Sequence, residues 1–355
     1  MNTEKNDVAG LFGLTNSNRD FSNPDSWGKN QFNSSFPAAL GCYMASKGLA
    51  ANYICLVDGK LEITEISIEE VFGSAVPNDS VFFAFEESFE EFEKFSDDQI
   101  PRTDLVIEIP DAKKQTAALE IKLTALPDVT THHLGEDEYG SELVIRPDTI
   151  FYLVAAIANA NRDLVKTHFA PSKRDKTVWS SEAVALAKYA SIHGALDDLI
   201  RNVSVVQTPA VLHPVWKTKG KSAELADDCL DLFVWSASAF LCFLLEIAKP
   251  SGERGITRLM RSVIWAYVTL REIGLDGKTD FSSTIDRLSY NTKNDKAFSA
   301  TGSVTHRFMK HKNLETPRIR KSEISSIILG GGQNFLSPER RFDAIVVNSP
   351  DLFDA

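Results

Sequence analysis

The chain has 355 residues, 43% hydrophobic and 25% charged, which suits a folded protein with a large core and excludes a disordered or fibrous one. Its 38 Lys and Arg against 49 Asp and Glu leave a net charge of -11. That balance excludes a protein that coats nucleic acid non-specifically and confines any nucleic-acid contact to local basic clusters.

Cys42, Cys55, Cys229 and Cys242 show no CxxC or Cys/His spacing, so they read as buried free thiols in a reducing cytoplasm rather than zinc ligands. The opening MNTEKNDVAG lacks a basic segment followed by an apolar one, so no signal peptide is expected. The most apolar run, Leu230 to Leu245, is too short to span a bilayer comfortably, carries Asp231 and is followed by Glu246; it reads as a buried helix. A cytoplasmic bacterial protein with no membrane contact is expected.

In chain order, residues 1–33 are rich in Asn, Ser, Asp and Gly, with Phe12, Phe21, Trp27 and Phe32 interspersed, and suggest an irregular arm that docks through its aromatics. A helix is predicted from Ser34 to about Lys47, ended by Gly48. Strands are predicted at 52–58 and 60–66, joined by the hairpin signal Asp58-Gly59. A short helix at 67–73 and a strand at 81–85 precede the acidic stretch Glu86–Glu93. Two further strands, 104–109 and 117–123, flank the polar turn Asp111–Gln115. Helical periodicity marks 148–161, 181–201, 223–248 and 256–273, while 203–216 is β-rich with prolines at its breaks. From about 290 the chain is polar, basic and punctuated by glycine. Strands first, with helices around them, imply an α/β or α+β core sheet flanked by helices, with extra helical and C-terminal elements. No sharp composition break divides the chain, so 1–355 reads as a single unit, with a core at about 34–216 and a helical, basic part at about 217–355.

The stretch that carries chemistry is TDLVIEIPDAKKQTAALEIKLTALPD, residues 103–128. Side chains alternate along a strand, so Glu120 and Lys122 project together while Leu119, Ile121 and Leu123 face the other way. Asp104 opens the preceding strand, sixteen residues before Glu120, and folding the two strands together returns it to the Glu120–Lys122 segment. Two carboxylates and one ammonium on a small patch suit phosphodiester hydrolysis with Mg²⁺, which takes one or two carboxylates plus waters and a phosphate. A nearby Lys can orient or deprotonate the attacking water and offset charge in the transition state. The bland alternative is a surface hairpin with an ordinary Glu/Lys pair. A rival assignment uses Pro110-Asp111, but Asp111 lies in the turn, nine residues from Glu120, up to ~30 Å of extended chain.

The segments NRDFSNPDSWGKNQFNSSFPAAL (18–40), TDLVIEI (103–109), LEIKLTALPD (119–128) and RPDTIFYL (146–153) together resemble type II restriction endonucleases of the HindVP/HgiDI group. The resemblance covers the N-terminal two-fifths densely. It implies a restriction-endonuclease-like fold of the PD-(D/E)xK class, Mg²⁺ dependence, and double-strand cuts at a short palindrome, for this group GRCGYC, leaving 5′-phosphates. Asp104 and Glu120 match the metal-binding carboxylates of the motif and Lys122 its catalytic lysine, with no departure at these positions. A palindromic target implies a homodimer on double-stranded DNA and a cognate DNA methyltransferase to protect the host. The other readings left open are a repair or mobile-element nuclease of the same fold and a non-catalytic DNA-binding protein.

DNA contacts are expected where charge reverses. Residues 293–321 carry Lys293, Lys296, Arg307, Lys310, Lys312, Arg318, Arg320 and Lys321 against only Asp295 and Glu315. Of these, Arg307, Lys310, Arg318 and Arg320 are taken as candidates, with Lys173 and Arg174 in a basic loop between helices. Lys29 and Asn30, before the first helix, could hold phosphates or adenine edges or simply cap that helix. His132-His133 receive no role, and Gly330–Gly332 lack the Lys-Ser/Thr of a nucleotide-binding loop.

Overall fold

The computed structural model describes residues 14, 16–19, 29–73, 81–122, 143–203, 207–218, 225–250, 255–290, 299–300, 312 and 316–329. In chain order it forms α1 (Lys29–Ser46), β1 (Ala51–Val57), β2 (Lys60–Ile66), α2 (Ile68–Phe72), β3 (Phe82–Glu87), α3 (Glu90–Glu93), β4 (Thr103–Ile109) and β5 (Lys114–Ile121). There follow β6 (Leu143–Val144), α4 (Pro147–Ala160), α5 (Arg162–Phe169), α6 (Glu182–Arg201), β7 (Pro209–Thr218) and β8 (Leu225–Ser236). The last described elements are α7 (Ala237–Ile247), α8 (Arg258–Asp276), α9 (Phe281–Leu288), β9 (Ser299–Ala300) and α10 (Lys321–Leu329).

Seven strands make one mixed sheet in the order β2-β1-β8-β7-β5-β4-β3. Three antiparallel hairpins, β1–β2, β4–β5 and β7–β8, supply most of it, and the parallel pairings β1–β8 and β5–β7 join them. At the Asp58-Gly59 turn both central residues have positive φ, 49° and 71°, the twist that suits a two-residue hairpin. The expected sheet flanked by helices is the observed architecture.

Alternation along the strands supplies two cores. Ile54, Val106, Val211, Phe233 and Trp235 pack beneath α4, α6, α7 and α8. Leu105, Ile107, Leu119, Ile121, Leu212 and Val234 point the other way and are covered by α1, α2 and α10. One corollary is that Asp104, Glu120 and Lys122, which share parity with Val106 and Val211, face the layer that contains α4.

The helix predicted at 223–248 is instead β8 followed by α7. Cys229 to Ser236 are buried at every position because β8 stands inside the sheet, between β1 and β7, so its apolar run is continuous rather than alternating. Such a run cannot be told from a buried helix by periodicity. Ser236 ends the strand and starts the helix, its Oγ accepting the Ala239 N–H at 3.1 Å. Since β8 lies beyond residue 218, the sheet draws on both sides of the 216/217 division.

The N-terminal arm lines the outer edge of β3. Phe83 exchanges main-chain hydrogen bonds with Asn16 and Asn18, and the Asn18 carboxamide bonds both the N–H and the C=O of Phe85 at 2.9 Å. An exposed edge strand is thereby paired. Of the four aromatics expected to dock an irregular arm, Phe12, Phe21 and Trp27 lie outside the described residues, and Phe32 falls within α1 instead, because the helix starts at Lys29. All four cysteines are buried and none forms a disulfide, as the sequence indicates. Among the described residues no helix is long and apolar enough to cross a membrane.

Candidate active site

Three elements converge at the start of β4 and the end of β5. Leu105 pairs with Leu119 across the two strands, and continuing that register sets Asp104 opposite Glu120. The Asp104 Oδ2 accepts the main-chain N–H of Ile121 at 2.7 Å. Lys122 Nζ donates to Glu120 Oε2 at 2.7 Å, in a pair whose side chains are only 9% and 6% exposed. The third element is α4: Thr149, in its first turn, donates its hydroxyl to Glu120 Oε2 at 3.1 Å. Thr103, preceding Asp104, shares its hydroxyl proton between the Leu119 carbonyl at 3.2 Å and Glu120 Oε1 at 3.3 Å. The positive end of the α4 dipole therefore lies against a carboxylate, a favourable placement.

The electrostatics follow from two acids in a poorly hydrated corner. Burial, then the charge of Glu120, pushes the Asp104 carboxyl up to about 7. Burial would lower the Lys122 ammonium, but the Glu120 and Asp104 carboxylates beside it prevail and hold it above its ordinary value. Asp148, next to Thr149, is pushed up to about 6 by burial and then by Glu120, with Arg146 and Lys122 opposing.

On the far side of Asp104, β3 contributes Glu86. Phe85 faces Leu105 and Glu87 faces Thr103, which leaves Glu86 across from Asp104. Its φ of 56° is a left-handed conformation in a non-glycine strand residue, the kind of backbone strain that collects at functional sites. Arg19 from the arm reaches this point, 3.7 Å from Glu86, with Nη2 donating to Ser34 Oγ of α1 at 3.1 Å. Desolvation lowers the pKa of Arg19, and the Glu86 and Asp104 charges oppose that shift.

The structure thus brings together the three residues singled out in the sequence. The rival Asp111 sits in the turn at the opposite end of the β4–β5 hairpin, exposed. Of the residues expected at DNA, Lys29 and Asn30 fall in the first turn of α1. Lys173 and Arg174 are exposed on a short 3-10 turn pinned by Arg271 of α8, which donates to the carbonyls of Ser172 and Asp175. Arg320 is exposed, and Arg318 donates to the Ala50 carbonyl and to Glu65. Arg307 and Lys310 lie outside the described residues, as do His132, His133 and the glycine run.

Sequence reasoning missed Arg19, Glu86, Thr103, Asp148 and Thr149. Arg19, Asp148 and Thr149 all fall in segments that carry the family resemblance, but read singly they look like arm polarity and helix capping. Nothing in the acidic stretch 86–93 distinguishes Glu86 from its neighbours.

A mixed sheet flanked by helices, with Asp, Glu and Lys gathered where two strands meet a helix start, is compatible with a restriction-endonuclease-like core. The HindVP restriction endonuclease family profile matches residues 27–353. Over 345 residues the chain is 45% identical to the probable type II restriction enzyme HindVP of Haemophilus influenzae, an alignment covering 97% of this chain and 94% of that one. Over 348 residues it is 39% identical to the type II restriction enzyme HgiDI of Herpetosiphon aurantiacus, covering 97% of each. The chain belongs to the HindVP restriction endonuclease family and is a restriction endonuclease. No solved structure matches it.

Proposed function

We propose that this enzyme makes Mg²⁺-dependent double-strand cuts in DNA at a short palindrome, with a PD-(D/E)xK centre in which Asp104 and Glu120 hold the ion and Lys122 serves the hydrolysis. The observation that supports it is the clustering itself: Asp104 is bonded to the Ile121 N–H at 2.7 Å, and the Glu120–Lys122 pair stands on either side of that residue, also at 2.7 Å.

The donor set fits a hard divalent ion. Among the described residues no three His, Cys, Asp or Glu gather closely enough to hold a metal by themselves, and no Cys or His stands in the cluster. Mg²⁺ needs no such cage, because it is commonly held by one or two carboxylates and keeps waters and substrate phosphate as further ligands. Among the described residues Asp104 Oδ1 receives no hydrogen bond, so one oxygen is available in a corner where two acids crowd together. When bound, such an ion supplies an acidified water and offsets charge on the phosphate oxygens.

The protein's own groups do the rest. Lys122, fixed by Glu120, presents its ammonium where negative charge develops and can orient or relay a proton for the attacking water. The Ile121 N–H keeps Asp104 aimed at the same point.

The resemblance supports GRCGYC as target and 5′-phosphate ends, and a palindrome calls for a homodimer that presents one centre to each strand. A cognate methyltransferase would protect host DNA in the bacterial cytoplasm. Lys29, Asn30, Lys173, Arg174, Arg307, Lys310 and Arg320 remain the proposed DNA contacts, and Arg318, whose guanidinium is engaged by Glu65 and the Ala50 carbonyl, is set apart from them. Digesting a DNA of known sequence with Mg²⁺ or with chelator, then sequencing the fragment ends, tests this reading. Discrete fragments ending in 5′-phosphates at GRCGYC support it. Smears, or nicks at damaged sites, would instead indicate a repair or mobile-element nuclease, and binding without any cutting a non-catalytic protein.

A further inference from the structure

Glu120 has an unusually complete set of donors for a carboxylate expected to bind a metal. Lys122 and Thr149 both donate to Oε2, and Thr103 donates to Oε1. The two hydroxyls come from different elements, β4 and α4, and both threonines are only 1% exposed. Among the described residues Asp104, by contrast, is held by a single main-chain N–H.

We propose that Thr149, assisted by Thr103, is a positioning residue for Glu120, gripping its carboxylate from both oxygens so that the lone pair left on Oε1 is aimed before the divalent cation arrives. This rests on the reading of Glu120 as a metal-holding carboxylate. The physical argument is one of freedom. A Glu side chain has three rotatable torsions, and a ligand must be held within about 0.5 Å and 10–20° to be productive. Lys122 cannot supply that alone, since its own long chain is held by the same Glu120. A β-branched Thr is stiff at χ1, and Thr149 sits in a helix packed against the sheet, so its hydroxyl is a fixed reference point. Thr103, whose proton is divided between two acceptors, contributes the weaker hold.

The test compares full-length Thr149→Val, Thr149→Ser and Thr103→Val with wild type. Thr269→Val serves as a control: Thr269 is equally buried, on α8, and its hydroxyl has no hydrogen-bond partner among the described residues. Valine keeps the shape and branching and removes only the donor, while serine keeps the donor. Mg²⁺ binding is measured by calorimetry on the DNA-free protein, melting temperature in chelator, and cleavage rate against Mg²⁺ concentration.

The expected result is a Mg²⁺ affinity weakened roughly 10–100-fold in Thr149→Val, the usual cost of losing a group that orients a metal ligand, and weakened less in Thr103→Val. Serine should restore both affinity and melting in chelator, and Thr149→Val should melt modestly below the Thr269→Val control, by the loss of one hydrogen bond to a carboxylate. The cleavage rate should recover largely at high Mg²⁺, a shift in half-saturation rather than in the limiting rate. Two outcomes overturn the proposal. One is a wild type that binds Mg²⁺ and cuts DNA while Thr149→Val binds the ion just as tightly; the other is equal loss in the Val and Ser variants with a matching fall in melting temperature, the mark of packing alone. A wild type that neither binds the ion nor cuts DNA removes the metal reading itself, and the grip with it.

Discussion

The main-chain N–H of Ile121 donates to the carboxylate of Asp104 at 2.7 Å, so the first acid of the centre is tied to the backbone between Glu120 and Lys122. Asp104 therefore reaches its place through the register of β4 on β5, whereas Glu120 reaches its place through side-chain donors. The two acids should respond differently to substitution.

Asp104→Asn keeps an oxygen to accept the Ile121 N–H but removes one of two crowded negative charges. The variant should fold at least as stably as wild type in chelator. Its cleavage rate should fall by about 10²–10³-fold or more, the scale of losing one preorganised charge at a reacting centre. Chemical denaturation and a cleavage time course on the same preparation check both halves. An active Asp104→Asn enzyme would falsify its role at the ion.

Lys122→Ala should also lose cleavage, but at a cost in stability. Glu120 is 6% exposed on its side chain and would be left without its countercharge. Breaking a buried pair by removing one partner typically costs about 3–5 kcal/mol. Urea titration should show a lower midpoint than wild type with an unchanged slope, and cognate DNA binding should survive in the remaining folded protein. Full stability together with full activity would return the pair to an ordinary Glu/Lys contact on a hairpin.

The metal-free protein should lose stability as pH rises from about 4 to about 7. Burial, then the charge of Glu120, raises Asp104 to about 7 and Asp148 to about 6. In the unfolded chain both titrate near 4, so from about pH 4 to about 7 the native state keeps protons that the unfolded chain has released. A raised acid stabilises the fold below its unfolded value and loses that contribution as pH climbs through its folded value. The melting temperature in chelator should thus fall between about pH 4 and about 7, and Asp104→Asn should remove the larger part of the fall. A fall of the same size in the variant would assign the effect elsewhere.

How much of this was visible beforehand depends on range. Asp104, Glu120 and Lys122 lie within nineteen residues on one hairpin, where strand alternation and a turn suffice to bring them together. Thr149 comes 29 residues after its partner Glu120, and Asn18 comes 67 before its partner Phe85. Such meetings follow from how helices and arms dock on the sheet, and a single sequence carries no local signal for them. β8 is illegible in the sequence for a related reason: a strand buried on both faces loses the alternation that identifies it.

Asn18 shows what the arm contributes. Its carboxamide bonds both polar groups of Phe85 at 2.9 Å, extending the sheet by one residue beside Glu86. Asn18→Ala removes both bonds and should cost about 1–3 kcal/mol, with faster hydrogen exchange at the Phe85 amide. Unchanged exchange there would mean that the arm is held by other contacts.

The basic 3-10 turn offers a test of DNA contact that is independent of the chemistry. Lys173 and Arg174 are exposed, and their loop is held by Arg271 rather than by any acid of the centre. If both touch phosphates, replacing them with alanine should weaken binding to cognate and unrelated duplexes alike. It should also reduce the slope of log affinity against log salt by about 2, one counterion for each contact. The cut position and the limiting rate should stay as in wild type, because phosphate contacts set register and affinity but carry no sequence information. Arg318→Ala is the informative contrast, since its guanidinium is already engaged by Glu65 and the Ala50 carbonyl. Removing it should lower thermal stability and leave the salt slope within error of wild type. A slope that falls by about 1 on that substitution, with melting unchanged, would move the DNA surface from the α5–α6 connection to the segment before α10.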